Sequence, residues 1–279
     1  MPESIRIEEG IVKAVLILWC LLVLGTGKTA NAAFERVLAD PIASGMGRSS
    51  VILERPGGFL ANPALGFRQN IAVWWDRPFG LAELGSERVI ATLPVQDINL
   101  GASLCQTGDK AYSERQLTLA SSYYFAPDIR AGLSASLYGL AIDGLPSGNA
   151  GVLNIGVLGQ VTSDLQAAAV WNNFSQSKLS NYEDELPSSL VAGLLFDADE
   201  RTKLALEFEQ QPGWPTEVRT GINSRVLKPL TIRGGARFNP VEYTAGFSLR
   251  HRVLQVHYAL LWHRDLGASH AIGLDVFLR

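Results

Sequence analysis

Four histidines, a scattered set of arginines and glutamates, many serines and one glycine-rich turn are the parts of this chain that could do chemistry. Gly25-Thr26-Gly27-Lys28-Thr29 ends like a phosphate-binding loop, but that motif needs a glycine five residues before Gly27, where Leu22 stands. Without it the backbone cannot cradle a phosphate, and the match is one of composition. His257 and His263 fall on one face of an extended run, yet six residues of strand at about 3.3 Å each hold them roughly 20 Å apart, too far to share an ion. His251 falls in a turn and His270 at a strand edge. No metal or cofactor is expected. A serine nucleophile needs a base and an orienting acid, and no Gly-x-Ser-x-Gly elbow occurs. His257 with Glu242 or Asp275 is the one candidate constellation, and its plainer reading is a hydrogen-bonded pair, so no enzyme is expected. Arg219, Arg225, Arg233, Arg237 and Arg250 could grip a carboxylate or phosphate head group. Because Glu207, Glu209 and Glu242 accompany them, mutual bracing is the expected role.

The elements that must carry these residues show a period of two. Leu254, Val256, Tyr258, Leu260 and Trp262 share one parity, while Gln255, His257, Ala259 and His263 share the other. Tyr243, Ala245, Phe247 and Leu249 repeat the pattern, and so do Ile272, Leu274, Val276 and Leu278. Such alternation predicts strands with one apolar face. From Arg68 onward it predicts about fourteen strands, many near 10 residues long, the length a tilted strand needs to cross a bilayer. Tight connections (Gln96-Asp97, Ser163-Asp164, Arg250-His251) alternate with mostly longer polar ones (76–86, 107–113, 141–150, 175–187). That asymmetry predicts a single antiparallel transmembrane β-barrel; a soluble exported β-sandwich has no reason for it. Trp75, Tyr123, Trp171, Phe196, Phe208, Phe238, Tyr243 and Trp262 sit near strand ends on the apolar parity, where headgroup layers would hold them. Glu207, Arg219, Arg225, Arg233, Arg237, Glu242, Arg250, His257 and Asp275 fall on the opposite parity. They are expected to face the lumen, because Arg or Lys on the lipid side near the midplane costs about 2–4 kcal/mol.

Of 279 residues, 47% are hydrophobic and 18% charged, with a net charge of -3. No basic surplus is available to neutralise phosphates, so no nucleic-acid partner is expected. The one long apolar block, Ala14 to Leu24, follows Arg6 and Lys13 and precedes Ala30-Asn31-Ala32. It reads as a signal peptide over residues 1–32. Removing it leaves Cys105 alone, so no intrachain disulfide is possible. Export, low charge and crossing strands point to the outer membrane of a Gram-negative-type bacterium, with outer-membrane lipid as the immediate partner.

Between the leader and the first strand, residues 33–67 are broken by Asp40-Pro41, Pro56-Gly57-Gly58 and Asn62-Pro63, yet keep Val51, Ile52, Leu53, Phe59 and Leu60. That apolar content demands burial. Leu38-Ala39-Asp40-Pro41, then Ala43-Ser44-Gly45-Met46-Gly47, then Asn62-Pro63-Ala64-Leu65-Gly66 resembles the opening of the long-chain fatty-acid transporter (FadL) superfamily, more closely its PorV and PorQ-like branch associated with type IX secretion. The resemblance implies that residues 33–67 are a lumenal hatch, fixed through Met46, Gly47, Asn62, Pro63 and Ala64, ahead of a barrel over residues 68–279. It implies transport or secretion support: a docking barrel for exported proteins, or a conduit for hydrophobic small molecules. Leu65 stands where the family more often has Gly, and the chain closes on Phe277-Leu278-Arg279 instead of a terminal aromatic.

Overall fold

Alternation resolves into strands β1 (Asn70–Arg77), β2 (Ser86–Val95), β3 (Ile98–Gly108), β4 (Tyr112–Ala126), β5 (Ile129–Ile142), β6 (Gly148–Gln160), β7 (Leu165–Asn172), β8 (Ser189–Asp197), β9 (Thr202–Gln210), β10 (Glu217–Arg225), β11 (Leu230–Phe238), β12 (Glu242–His251), β13 (Leu254–His263) and β14 (Gly267–Phe277). The computed structural model describes Phe34 and residues 40–66, 68–182 and 185–278. Each strand pairs antiparallel with its neighbour in the chain, and β1 pairs with β14 through Ile71↔Val276 and Val73↔Leu274, so the sheet closes. Closure leaves no unpaired edge, and the two stacked sheets of a sandwich are not formed. The signal-peptide expectation for residues 1–32 lies outside the described residues.

One side of every strand looks outward. Along β5, Ala131, Leu133, Ala135 and Leu137 are exposed, while Ser134 and Ser136 between them are buried. By this alternation, outward Asp, Glu, Lys and Arg within strands are confined to Arg77, Glu87 and Arg115. Pairing sets these at one level near a barrel end, since Trp75 faces Glu87, Glu87 faces Gln106 and Gln106 faces Arg115. The apolar band between the ends therefore carries no ionised side chain. Outward aromatics edge that band: Trp75, Trp171, Phe208, Phe238, Tyr243 and Trp262 toward one end, Tyr123 and Phe196 toward the other.

The end that carries both barrel termini has short turns, 96–97, 127–128, 161–164, 198–201, 226–229 and 252–253. At the other end 78–85 and 173–188 are long, but the expected loop 107–113 shrinks to 109–111 because β3 and β4 extend their pairing to Gly108↔Ser113. At the short-turn end Asp199 accepts from the backbone N–H groups of Arg201 and Thr202. The Arg201 bond, first among the causes, holds its carboxyl below the usual carboxylate range.

Residues 40–66 lie within the ring of strands, touching it on every side. Gly45 backs onto Gly246 of β12, Met46 and Gly47 onto Gly221 and Gly235 of β10 and β11, Phe59 onto Gly101 of β3, Pro63 onto Gly132 of β5 and Asn62 onto Gly156 of β6. Small wall residues let the segment's backbone approach the sheet. Met46, Val51, Ile52, Phe59 and Leu65 pack with Trp74, Ile90, Val170 and Val191 as the main apolar core. Asp40 starts the helical turn Pro41–Ser44 by accepting from the N–H groups of Ile42 and Ala43, both at 3.0 Å.

Candidate functional site

The inward parity supplies the acceptors that this segment lacks within itself. Glu207, fully buried on β9, takes the N–H of Ser50 at 2.9 Å and of Val51 at 2.7 Å. Thr244 Oγ1 takes the N–H of Gly47 at 2.7 Å. Asn62 closes the loop on itself, donating to the Val51 carbonyl at 2.8 Å and accepting from Ala64 N at 2.9 Å. Ion pairs add to this. Arg48 meets Glu242 at 2.8 Å, Arg55 meets Asp40 at 2.5 Å, and Arg130 meets Glu54 at 2.7 Å. Arg55 also donates to the carbonyls of Ser50 at 2.7 Å and Leu53 at 2.8 Å. Buried charges persist only when paired and hydrogen-bonded; here Arg48–Glu242 and Arg130–Glu54 join segment to wall, while Arg55–Asp40 ties the segment to itself.

Several residues singled out in the sequence converge. Arg219 pairs with Glu209 and Glu217 and lies 3.9 Å from Glu207, while Arg237 stands 3.6 Å from Glu217 and 3.8 Å from Glu242. Arg233 departs from the expected bracing by glutamate. Its Nη1 donates to Ser248 Oγ at 2.5 Å, and Ser248 Oγ meets His257 Nδ1 at 2.5 Å. His257 Nε2 meets Asp275 Oδ2 at 2.8 Å, and the Trp74 indole donates to Asp275 Oδ1 at 3.1 Å. Ser248, His257 and Asp275 follow the order of an acyl-transfer triad, but through the opposite ring nitrogens, and all three are fully buried. Arg225 and Arg250 stand apart, exposed at the short-turn end. Arg48, Arg55, Arg88, Arg130 and Trp74 were not singled out from sequence, and Asp40 only as part of the Asp40-Pro41 motif. For Trp74, Arg88 and Arg130 the signal was present, since each falls on the inward parity of its strand.

Above the segment, toward the long-loop end, the lumen keeps a cavity of about 520 Å³. Ser44, Arg48 and Leu60 contribute to it from the segment, Phe34, Tyr138, Val152 and Leu186 give an apolar side, and Glu209, Glu217, Arg219 and Arg237 a charged one. Arg88 also lines it, with 3% of its surface exposed. This guanidinium has only long contacts of 3.4 Å to Ser103 Oγ and Gln116 Oε1, and its Nε is unpartnered. No group of three or more metal-ligating side chains occurs among the described residues.

A closed fourteen-strand ring with an apolar exterior, a charged interior and an internal segment defines the class: a membrane β-barrel. Solved structures share this fold. The Pseudomonas putida toluene transporter TodX aligns with a TM-score of 0.60 at 13% identity, over 85% of this chain and 98% of that one. The CymD monoaromatic hydrocarbon channel aligns with a TM-score of 0.60 at 13% identity, over 85% and 95%. A Pseudomonas aeruginosa FadL homologue aligns with a TM-score of 0.58 at 9% identity, over 91% and 100%. No protein-family model and no curated protein matches the sequence. At these identities the likeness is one of fold.

Proposed function

We propose that this chain is an outer-membrane channel that admits small, partly apolar molecules from the long-loop side, with residues 40–66 as a hatch between them and the periplasm. The observation that carries this reading is the cavity of about 520 Å³, a volume suited to a small molecule and far below that of a folded protein. Its floor includes Ser44, Arg48 and Leu60, residues of the segment itself. The fold shared with TodX and CymD, a toluene transporter and a monoaromatic hydrocarbon channel, supports the same reading. Outer-membrane placement rests on that likeness and on the leader-like residues 1–32. In this reading the Ser248-His257-Asp275 chain braces the wall and is not a catalytic site.

A second reading, a barrel that docks exported proteins, is favoured by the Asn62-Pro63-Ala64 resemblance and would use the outer rim instead of the lumen. One pair of experiments separates the two. Proteoliposomes holding the purified chain should take up a labelled monoaromatic compound with saturation, and empty liposomes should show only the linear leak. Absence of saturable uptake, together with exported proteins stranded in the periplasm of a deletion strain, would replace the channel reading with the docking one.

A further inference from the structure

The short-turn rim is electrically divided. Asp97, Asp128 and Asp164 stand exposed on three successive turns, β2–β3, β4–β5 and β6–β7. Across the rim, Arg225 and Lys228 flank β10–β11, Arg250 and Arg252 flank β12–β13, and Arg68 leads into β1, all exposed. Arg68, Arg250 and Arg252 converge on one groove of about 410 Å³, together with Gln69, Phe277 and Leu278. Among the described residues none of the three has a carboxylate within 4.0 Å. The backbone beneath them is fixed: Phe277 N donates to Val253 O at 2.8 Å, Leu278 N to Gln69 O at 3.1 Å and Arg250 N to Pro229 O at 2.8 Å. Arg250 lies over the Phe277 ring at 4.6 Å, which aims its guanidinium.

We propose that this groove binds a phosphate-class anion, and that its ligand is the headgroup of an acidic phospholipid in the adjoining leaflet. Three guanidinium forks, none of them ion-paired among the described residues, match phosphate oxygens in shape as well as in charge. Free phosphate shares that chemistry, but the apolar surroundings favour a lipid. Leu278 is exposed within the groove, and Leu254, Val256, Leu249 and Leu274 form exposed outer wall just above it. An ion needs no such wall, whereas an acyl chain does. On the lumen side Arg68 and Arg250 also border a second pocket with Glu54 and Asp97. The acidic turns β4–β5 and β6–β7 stand away from the groove and would repel the same ligand. This site is independent of what the lumen carries.

The test is lipid retention by the full chain, read by native mass spectrometry after exchange into nanodiscs of phosphatidylethanolamine with or without phosphatidylglycerol. The wild type should retain phosphatidylglycerol at least tenfold over its bulk fraction, and R68Q/R250Q/R252Q should lose that enrichment while its heat-modifiable gel shift shows a folded barrel. R252Q alone, a turn-tip change at a side chain without an ion pair among the described residues, should lose part of it, so a misfolded triple variant leaves the proposal testable. Retention equal for the two lipids, or enrichment unchanged in R252Q and in a folded triple variant, overturns the proposal. Inorganic phosphate titrated by calorimetry forms the other arm: saturable binding there without phosphatidylglycerol enrichment overturns the lipid assignment.

Discussion

Ser248 Oγ lies 2.5 Å from His257 Nδ1, and this contact orders the protons of four residues. A guanidinium only donates, so Ser248 accepts from Arg233, which leaves its single hydrogen available for His257 Nδ1. A carboxylate only accepts, so Nε2 carries the proton shared with Asp275, whose other oxygen takes the Trp74 indole N–H. The chain ties β11, β12, β13, β14 and β1 together across the barrel's closing seam. His257→Phe leaves Asp275 buried with one donor, and is expected to destabilise the barrel by about 2–3 kcal/mol, the worth of a hydrogen bond to a buried charge. The urea midpoint of the folded gel band checks this. Ser248 should remain unlabelled by a fluorophosphonate in the folded protein, and labelling there would contradict the brace.

Glu207 holds the segment by two backbone N–H groups. Glu207→Gln keeps the shape but removes the charge and one acceptor, leaving Ser50 or Val51 short of a partner at a cost of about 1–3 kcal/mol. Looser seating of residues 40–66 should appear in planar bilayers as more frequent openings than in wild type. Identical traces would mean that the ion pairs Arg48–Glu242 and Arg130–Glu54 suffice.

Arg88 offers the cavity a cation with only long hydrogen bonds of 3.4 Å, its charge balanced in part by Asp76 in the same lining. Arg88→Gln should lower uptake of a carboxylated aromatic about tenfold or more, given about 1.5–3 kcal/mol for a hydrogen bond to a charged group. Uptake of the uncharged parent compound should hardly change. Equal losses for both would point to a structural role for Arg88.

Strand count, parity and closure were legible because side-chain direction in a strand depends only on odd or even position. Lumenal glutamate and arginine followed from the same rule, but their partners did not. Arg219 meets Glu217 as its i−2 neighbour on β10, which spacing supplies, but meets Glu209 because β9 and β10 align in register, which spacing does not. Arg233 was expected to meet a glutamate, yet register places it across from Gly246, within reach of Ser248. Contacts of the irregular residues 40–66 were least legible, since Asp40 to Arg55 and Arg48 to Glu242 obey no period.

Gly47 has φ of 63°, a left-handed conformation, and a Cβ built there would meet the carbonyl oxygens of Ala236 and Thr220 at 2.5 Å. Gly47→Ala should therefore displace the segment, combining backbone strain of about 1–2 kcal/mol with overpacking of about 1–3 kcal/mol. Faster proteolysis within residues 40–66 and higher conductance are the expected readouts. Gly151→Ala is the control, because nothing lies within 4 Å of its added methyl, and it should match wild type in both assays.

Cys105 is the one cysteine downstream of Cys20, lines the cavity and is 9% exposed. It therefore reports occupancy without engineering. A small methanethiosulfonate reagent added from the long-loop side should label it in intact proteoliposomes, because the thiol faces the same space that a solute would fill. A transported aromatic at saturating concentration should slow labelling severalfold, and Glu207→Gln should let the reagent reach Cys105 from the short-turn side as well. Labelling only after denaturation, or at a rate no solute changes, would show that molecules do not enter the lumen this way, and the channel reading would fall with it.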